Sequence, residues 1–388
     1  KMWETMERAE MPPQKLSPSG AADLFVNVRG ARAYREGRAS RVAGLVAVDE
    51  KGRVYTSGNG DMLGWEVERN GPLHAVIAVR GNLRSTDRDA VEPLLNYTMR
   101  IHAFAGSPLV RMVVTVHNPR AARRAEDGSR WILGQAGSVL FKSLDYVQPV
   151  RLIEGLKQVT LQLEPGKMLD RIPLAGGMMV YQDSSGGEHW FHRTHVNRDN
   201  VIPLKFRGYK AIYEDRQIES GYRASPWIDV ADMRWAVSAA IPDFWQNFPK
   251  ALGVDGNGTI RIGLWPKEFS DLHELQGGEQ KTHEFWLYFR HRKPLEVQAR
   301  QEERQERRRD RRAGRSNPTR LPLDREMMPT CLARPLVLAS ADVYANGAGG
   351  LDPTRPVEPG RFGGYEGMVA AAVKAPVNLF THREEMDE

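Results

Sequence analysis

The chain has 388 residues, and its 55 lysines and arginines against 49 aspartates and glutamates give a formal net charge of +6. This length allows two to three domains with ample core. Part of the charge is local, because residues 296–315 hold eight arginines against five acidic residues. A general electrostatic field for nucleic acid or membrane binding is therefore not indicated.

The single cysteine, Cys331, excludes an intramolecular disulfide and any site with several cysteine ligands. No apolar run reaches the length of a bilayer span, so we expect no membrane segment. The first residues, KMWETMERAE, lack the apolar core of a signal peptide. Because the chain begins at Lys1, we expect the natural N-terminus to lie upstream. Localisation therefore stays open, and a secreted or periplasmic location is compatible with the sequence.

The N-terminal part is predicted to be a short helix and linker over residues 1–24, followed by brief strands. The DEKG sequence at Asp49–Gly52 marks a hairpin. From residue 73 onward, apolar and polar residues alternate with the period of a strand. Both faces of these strands carry apolar residues, which favours a large sandwich. The predicted strands are Leu73–Arg80, Tyr97–Phe104, Val110–His117, Val139–Tyr146 and Gln158–Leu163.

The stretch between residues 241 and 289 is rich in aromatic residues. Asp243 is predicted to cap a short helix over Phe244–Leu252, and Gly258–Trp265 alternates as a strand. In Lys281–Phe289, side chains alternate, so Lys281 and His283 share one face with Phe285 while Glu284 takes the opposite face. Gly277 and Gly278 are expected to form the turn before this strand.

Residues 295–315 have almost no apolar stripe and many Glu/Arg pairs at helical spacing, which favours a solvated helix between domains. Nucleic-acid binding is the alternative, but no aromatic residue is interleaved for base stacking. A proline-containing connector follows. Near the C-terminus, GYEGMVAAAVKAPVNLF is a helix candidate that ends at Pro376.

Several motifs in this order resemble one family. They are NGPLHAVIAVRG at Asn70–Gly81, AGSPLVRMVVTVHNP at Ala105–Pro119, and FWQNFPKAL, GLWP and GGEQKTHEFWL within the aromatic stretch. Together they resemble the central β-sandwich of the exo-rhamnogalacturonan lyase-like (PcRGLX/YetA-like) family. The resemblance implies a RIFT-type barrel, then the sandwich, then an α/α toroid. It also implies action on polysaccharides that contain uronic acid, by β-elimination.

On this basis we expect a mainly β protein built on a large antiparallel, supersandwich-like β-sandwich. Residues 1–63 would be a linker and a partial barrel-like segment, and 64–293 the sandwich. Residues 294–330 would be a charged helical linker, and 331–388 the start of the helical, toroid-like region. The expected partner is an anionic polysaccharide or oligosaccharide, and the oligomeric state is open.

Two groups of side chains are candidates for chemistry. GEHWFHRTH places His189, His192, Arg193 and His195 within seven residues. One interpretation is an exposed loop. The other is a positively charged wall that binds a uronate carboxylate, since a guanidinium binds a carboxylate with two parallel hydrogen bonds. His192 is also a candidate catalytic residue. No HExxH motif is present.

Lys281, His283 and Glu284 form the second group. Elimination needs a cation on the carboxylate, a base and an acid, and lysine and histidine suit these roles. The structural alternatives are that Glu284 pairs with an arginine and that His283 donates to a loop carbonyl. The whole interpretation depends on one expectation, namely that the edge near Lys281 and the bend near His192 meet at one hollow.

Trp245 and Gln246 are candidates for sugar contact, because an aromatic face suits the axial hydrogens of a sugar ring, although most aromatics at strand spacing are core. No metal and no cofactor are expected. Two other functions stay open. One is a glycan-binding sandwich without catalysis. The other is a hydrolase, which requires paired carboxylates; the candidates are Glu188, Asp215, Glu279 and Glu284.

Overall fold

Most of the described chain is extended. The computed structural model describes residues 43–87, 89–122, 133–150, 152, 156–291 and 327–333. Within these residues, nineteen strands form two antiparallel sheets, one of ten strands and one of nine. The predicted mainly β fold with a large antiparallel sandwich is confirmed.

The ten-stranded sheet contains β1 (Gly44–Asp49), β2 (Val54–Thr56), β5 (Arg84–Ser85), β8 (Val139–Pro149), β11 (Gly177–Gln182), β12 (Tyr209–Tyr213), β13 (Arg216–Gly221), β16 (Lys250–Asp255), β17 (Thr259–Trp265) and β18 (His273–Leu275). Its strand order is β13-β12-β11-β16-β17-β8-β1-β2-β5, and β18 also pairs with β8. The chain therefore enters and leaves this sheet several times.

The nine-stranded sheet contains β3 (Met62–Asn70), β4 (His74–Asn82), β6 (Asn96–Phe104), β7 (Leu109–His117), β9 (Gln158–Glu164), β10 (Lys167–Pro173), β14 (Trp227–Ala231), β15 (Trp235–Ala240) and β19 (Gln280–His291). Its strand order is β10-β9-β14-β15-β19-β7-β6-β4-β3. The strands predicted from alternation coincide closely with β4, β6, β7, β8 and β9.

One apolar core lies between the sheets, because alternate side chains of each strand point inward. Val114 and Phe285 come from the nine-stranded sheet, and Leu252 and Ile262 come from the ten-stranded sheet. All four are fully buried in the same cluster. The inner face of each sheet is therefore apolar along most of its length, and a polar group on it needs an explanation.

The first described strands belong to the sandwich. β1 and β2 are joined by the predicted turn at Asp49–Gly52, and β1 also pairs with β8. The partial barrel-like segment predicted within residues 1–63 is therefore wrong for these two strands, which lie inside the ten-stranded sheet. Residues 1–42 of that prediction lie outside the described residues.

The short helix predicted over Phe244–Leu252 is wrong. Residues 242–247 form a turn, and Lys250 begins β16. Asp243 has a left-handed backbone, with φ of 51°, which is not the extended conformation of a helix N-cap. Leu252 pairs with β11 and β17 inside the sheet, so burial in a central strand prevails over the local capping signal.

At the C-terminal side, the described α-helix is α1 (Met327–Ala333). Its Met328 packs against Trp227, Ala240 and Tyr288 on the outer face of the nine-stranded sheet. The other residues of the charged helical linker predicted over 294–330, and of the toroid-like region predicted over 331–388, lie outside the described residues. Among the described helices, none is long and apolar enough to cross a bilayer.

Candidate functional site

Strand β19 places consecutive residues on opposite faces of the nine-stranded sheet. It pairs with β7, with Lys281 opposite Val116 and His283 opposite Val114. Because Val114 and Val116 belong to the core, Lys281 and His283 point into the space between the sheets. The turn at Gly277–Gly278 precedes the strand as predicted. The sequence prediction that Lys281 and His283 share a face is therefore confirmed.

A lysine from the opposite sheet meets His283. Lys250 begins β16 on the inward side shared with Leu252, and it is 2% exposed. Its Nζ donates to the Leu264 carbonyl at 2.5 Å and shares a hydrogen bond of 2.8 Å with His283 Nδ1. His283 Nε2 is buried and has no hydrogen-bond partner within the described part of the chain. The two bases thus form a buried pair across the sandwich.

Both bases of this pair are held toward their neutral forms. Burial lowers the pKa of Lys250 well below its ordinary value, and repulsion from Lys281 lowers it further. Burial also lowers the pKa of His283, with added repulsion from Lys250 and Lys281. Removing an amine or imidazole from water disfavours its charged form. Burial and repulsion therefore both shift this polar pair toward its neutral form.

Lys281 lies two residues before His283 on the same face of β19, beside Trp265. Its Nζ is 5.9 Å from the centroid of the Trp265 ring, and the same ring meets His283 edge-to-face at 4.4 Å. Burial lowers the pKa of Lys281, against the attraction of Glu279. A partly desolvated lysine with a lowered pKa supplies more free amine at neutral pH, which is the form that removes a proton.

His273 completes the aromatic wall. Its Nε2 donates to the Pro266 carbonyl at 2.9 Å, and its ring stacks on Phe269. Burial lowers the pKa of His273 to about 4, and repulsion from Lys250 and Lys281 acts in the same direction. His273 is therefore neutral at physiological pH. Its contribution is to hold the Pro266–Phe269 loop in place.

Lys281, Trp265 and His273 line a hollow of about 210 Å³. His195 and Arg198 line it as well. Arg198 pairs with Asp271 at 3.0 Å. We call this space the Lys281 hollow. It combines a desolvated amine, an aromatic ring and a guanidinium within one concave site.

The histidine-rich bend reaches the hollow only at its end. His195 lines the hollow and meets the Phe248 ring edge-to-face. His192 Nδ1 instead accepts a hydrogen bond from the Thr194 backbone N–H, capping the short 3₁₀ turn at Arg193–His195. Arg193 and His189 are exposed and do not line the hollow. The expected meeting with Lys281 thus involves His195 alone among the four.

The predicted sugar contacts do not line the hollow either. The Arg223 guanidinium lies over the Trp245 ring, 4.6 Å from its centroid. Gln246 is exposed in the following turn. Their neighbours Asn247 and Phe248 line the hollow instead. Because this segment is a turn and not the predicted helix, the side chains that reach the hollow are Asn247 and Phe248, not Trp245 and Gln246.

Glu284 cannot join Lys281 and His283, because it lies on the other face of the sheet. Its carboxylate pairs with Arg111 at 2.5 Å and accepts a hydrogen bond from Trp286 Nε1 at 3.0 Å. This is the structural alternative considered for Glu284. The grouping of Glu284 with the two bases is therefore corrected to an ion pair on the outer face.

The carboxylates considered for hydrolysis are also dispersed. Glu284 lies on the outer face of the nine-stranded sheet, and Asp215 lines a groove on the outer face of the ten-stranded sheet. Glu279 accepts a hydrogen bond from the Gln276 backbone N–H beside β19, and Glu188 is exposed. Asp215 and Glu284 are therefore separated by the whole sandwich.

Sequence reasoning missed Lys250, His273 and Arg198. One signal was present for Lys250, since it alternates with Leu252 and Val254 and so falls on the apolar side of its strand. Because a helix was predicted over this segment, the strand period that includes Lys250 was not recognised. Within the described residues, no group of three or more histidine, cysteine, aspartate or glutamate side chains is arranged to hold a metal ion.

The structure is a large antiparallel β-sandwich with a pocket lined by one lysine, one arginine and two carboxylates. Residues 31–125 match the family model for the PcRGLX-like protein central beta sandwich domain. This match confirms, for these residues, the resemblance inferred from the motifs. No curated protein matches the chain.

Three solved structures show distant similarity to this chain. The galactosidase domain of alpha-galactosidase-sucrose kinase AgaSK is 13% identical, with a TM-score of 0.34, over 66% of this chain and 30% of that one. The GH36 alpha-galactosidase AgaA from Geobacillus stearothermophilus is 12% identical, with a TM-score of 0.35, over 65% and 30%. A galactose mutarotase related enzyme from Lactobacillus acidophilus is 10% identical, with a TM-score of 0.27, over 63% and 78%.

The chain spans 30% of the length of the two galactosidases. The family resemblance therefore depends on residues 31–125 and on the motifs.

Proposed function

We propose that this chain is a carbohydrate-active protein that binds a glycan containing uronic acid at the Lys281 hollow and cleaves it by β-elimination. The family match over residues 31–125 supports a role of this kind. The observation that carries the proposal is the position of Lys281. Its amine is partly removed from water in a concave site, and it repels the buried Lys250 and His283 nearby.

Lys281 acts as the base in this proposal. Its neutral amine removes the hydrogen on the carbon that bears the carboxylate, and the electron pair of that C–H bond forms a carbon–carbon double bond. The bond to the glycosidic oxygen breaks, and that oxygen takes a proton from an acid. A base with a pKa nearer to neutral suits this step, since efficiency follows the match between pKa and operating pH.

Arg198 and His195 line the same hollow as Lys281 and fit the two other roles. A guanidinium has five N–H donors, so its pairing with Asp271 does not exhaust them, and it suits a uronate carboxylate. Neutralising that carboxylate makes the adjacent hydrogen more acidic. An imidazole such as His195 suits proton delivery to the leaving oxygen.

Lys281→Met tests the base directly. We expect turnover of acidic polysaccharides to fall by roughly 100-fold or more, the usual contribution of a general base. The readout is the ultraviolet absorbance of the unsaturated sugar, on a panel of pectic and gum polysaccharides. Lys51→Met, in the exposed β1–β2 turn, is the matched control. Equal turnover by the wild type and Lys281→Met would overturn the assignment.

Glycan binding without cleavage is the second candidate, and the size of the hollow favours it. At about 210 Å³, the hollow is smaller than the roughly 300–1,000 Å³ usual for ligand sites, so it suits one sugar residue. Binding of oligogalacturonides by the wild type without any unsaturated product, with loss of that binding in Lys281→Met, would support this candidate over elimination.

A further inference from the structure

A second and larger concavity lies on the outer face of the ten-stranded sheet. Its volume is about 950 Å³, several times that of the Lys281 hollow. Its apolar floor is formed by Val48, Met179 and Ile212, which are partly exposed, while Val54 and Val147 are buried beneath it. This volume falls within the range of about 300–1,000 Å³ that is typical of ligand sites. We call it the outer groove.

A charged network stands at the centre of the outer groove. Arg261 lies between two carboxylates, with Nη1 3.2 Å from Asp145 and Nη2 2.6 Å from Glu268. Asp145 is fully buried beneath the lining. Glu268 Oε2 is buried and has no hydrogen-bond donor within the described part of the chain. Since buried polar atoms are normally paired, this oxygen lacks a donor that a hydroxyl in the groove would supply after a small turn of the side chain.

The charge of the lining is unsuited to an acidic polymer. Three basic residues line the groove, namely Lys142, Arg261 and Lys267. Five acidic residues line it as well, namely Glu214, Asp215, Asp255, Glu268 and Asp271. The excess of carboxylates repels uronates, while carboxylates and a guanidinium both bond well to sugar hydroxyls. The lining of the Lys281 hollow is balanced instead, with Arg198 and Lys281 against Asp271 and Glu274.

The outer groove and the Lys281 hollow share one wall. Phe269, Asp271 and Leu272 line both spaces. The loop that contains them is held by His273 on the side of the hollow and by the Arg261–Glu268 pair on the side of the groove. Two concave sites of different charge therefore lie on either side of one short, fixed segment.

We propose that the outer groove is a binding site for a neutral oligosaccharide, separate from the Lys281 hollow. Its apolar floor accommodates the less polar faces of sugar rings, and the Arg261–Glu268 pair binds their hydroxyl groups. The acidic lining excludes uronates from it. The site does not depend on elimination at Lys281, and it gives the protein a second kind of carbohydrate contact.

Calorimetric titration of the 388-residue chain with cello-, manno-, xylo- and galacto-oligosaccharides tests this proposal. Glu268→Leu removes the hydroxyl acceptor while Arg261 keeps its bond to Asp145. Glu219→Leu, at a partly exposed carboxylate on β13 that pairs with Lys167, is the matched control. Thermal melting establishes that both variants fold, and Lys281→Met is titrated in parallel.

We expect at least one neutral oligosaccharide to bind the wild type, Glu219→Leu and Lys281→Met equally. Binding to Glu268→Leu should be weaker by about tenfold, the effect of losing one good hydrogen bond to a charged group. An oligogalacturonide should not compete for this site. The proposal is overturned if none of the four sugars binds, if Glu268→Leu binds as well as Glu219→Leu, or if Lys281→Met loses the same binding.

Discussion

Strand β19 places neighbouring polar residues in very different environments on its two faces. On the inner face, Lys281 and His283 are largely removed from water, and the contact made by His283 is with another base, Lys250. On the outer face, Glu284 has a cation, Arg111, and an indole donor. Residues 283 and 284 are adjacent in sequence, yet one is buried among bases and the other is paired at the surface.

This difference shows which interactions set the state of a side chain. A paired carboxylate at the surface is satisfied by its counterion and by water. A base buried beside other bases has neither, so burial and repulsion both favour its neutral form. Ionisable side chains whose pKa values are shifted by burial and by like charges are typical of functional sites. For this reason we propose that the chemistry takes place on the inner face.

His283→Ala should give the largest loss of stability. It removes a buried ring and leaves the Lys250 amine without its partner, so we expect the free energy of unfolding to fall by about 4 kcal/mol. Urea unfolding measures this change. Thr282→Ala, on the exposed side of the same strand, is the control and should change stability little. Equal losses of stability in the two variants would contradict the claim that the two faces of β19 differ.

The buried bases should also make stability depend on pH. The pKa of His273 is about 4 in the folded chain against an ordinary value of 6.5, so the unfolded state binds more protons between these values. Stability is then fully present above pH 6.5 and falls as the pH is lowered toward 4, by about 3 kcal/mol. Urea unfolding at several pH values measures the slope. His273→Gln, which does not titrate, should have a shallower slope; an unchanged slope would contradict the assignment.

Glu284→Gln should have the smallest effect. Both members of the Arg111–Glu284 pair are partly exposed, so we expect a loss of about 1 kcal/mol or less, reduced further by salt. Turnover should stay at the wild-type level. Unfolding at low and high salt, together with the ultraviolet assay, checks both statements. A large loss of turnover would mean that Glu284 contributes to the functional site.

Local periodicity was enough to predict much of the fold. The alternation in β4, β6, β7 and β19 follows from inward and outward positions along a strand, and it also separated Lys281 from Glu284. It could not place Lys250 or His273, because their importance depends on which strands face each other across the core. That information lies in long-range pairing, such as β16 with β11 and β17.

The errors have similar causes. Asp243 followed by Phe244 gave a local helix signal, but the buried positions of Ala251 and Leu252 required a strand. The bend near His192 was expected to present several side chains to one hollow. A short 3₁₀ turn directs His195 there and leaves Arg193 exposed. Such turns depend on the loops packed around them, which a single sequence does not reveal.

The titration of Lys281 tests the central claim most directly. The amine can be followed by NMR of lysine labelled at Cε and Nζ, with its resonance assigned by comparison with Lys281→Met. The account predicts a midpoint clearly below the ordinary lysine value of 10.5, because the amine is largely removed from water in the hollow. A midpoint at or above 10.5 would mean that Lys281 is an ordinary solvated cation, and it would contradict its assignment as the base.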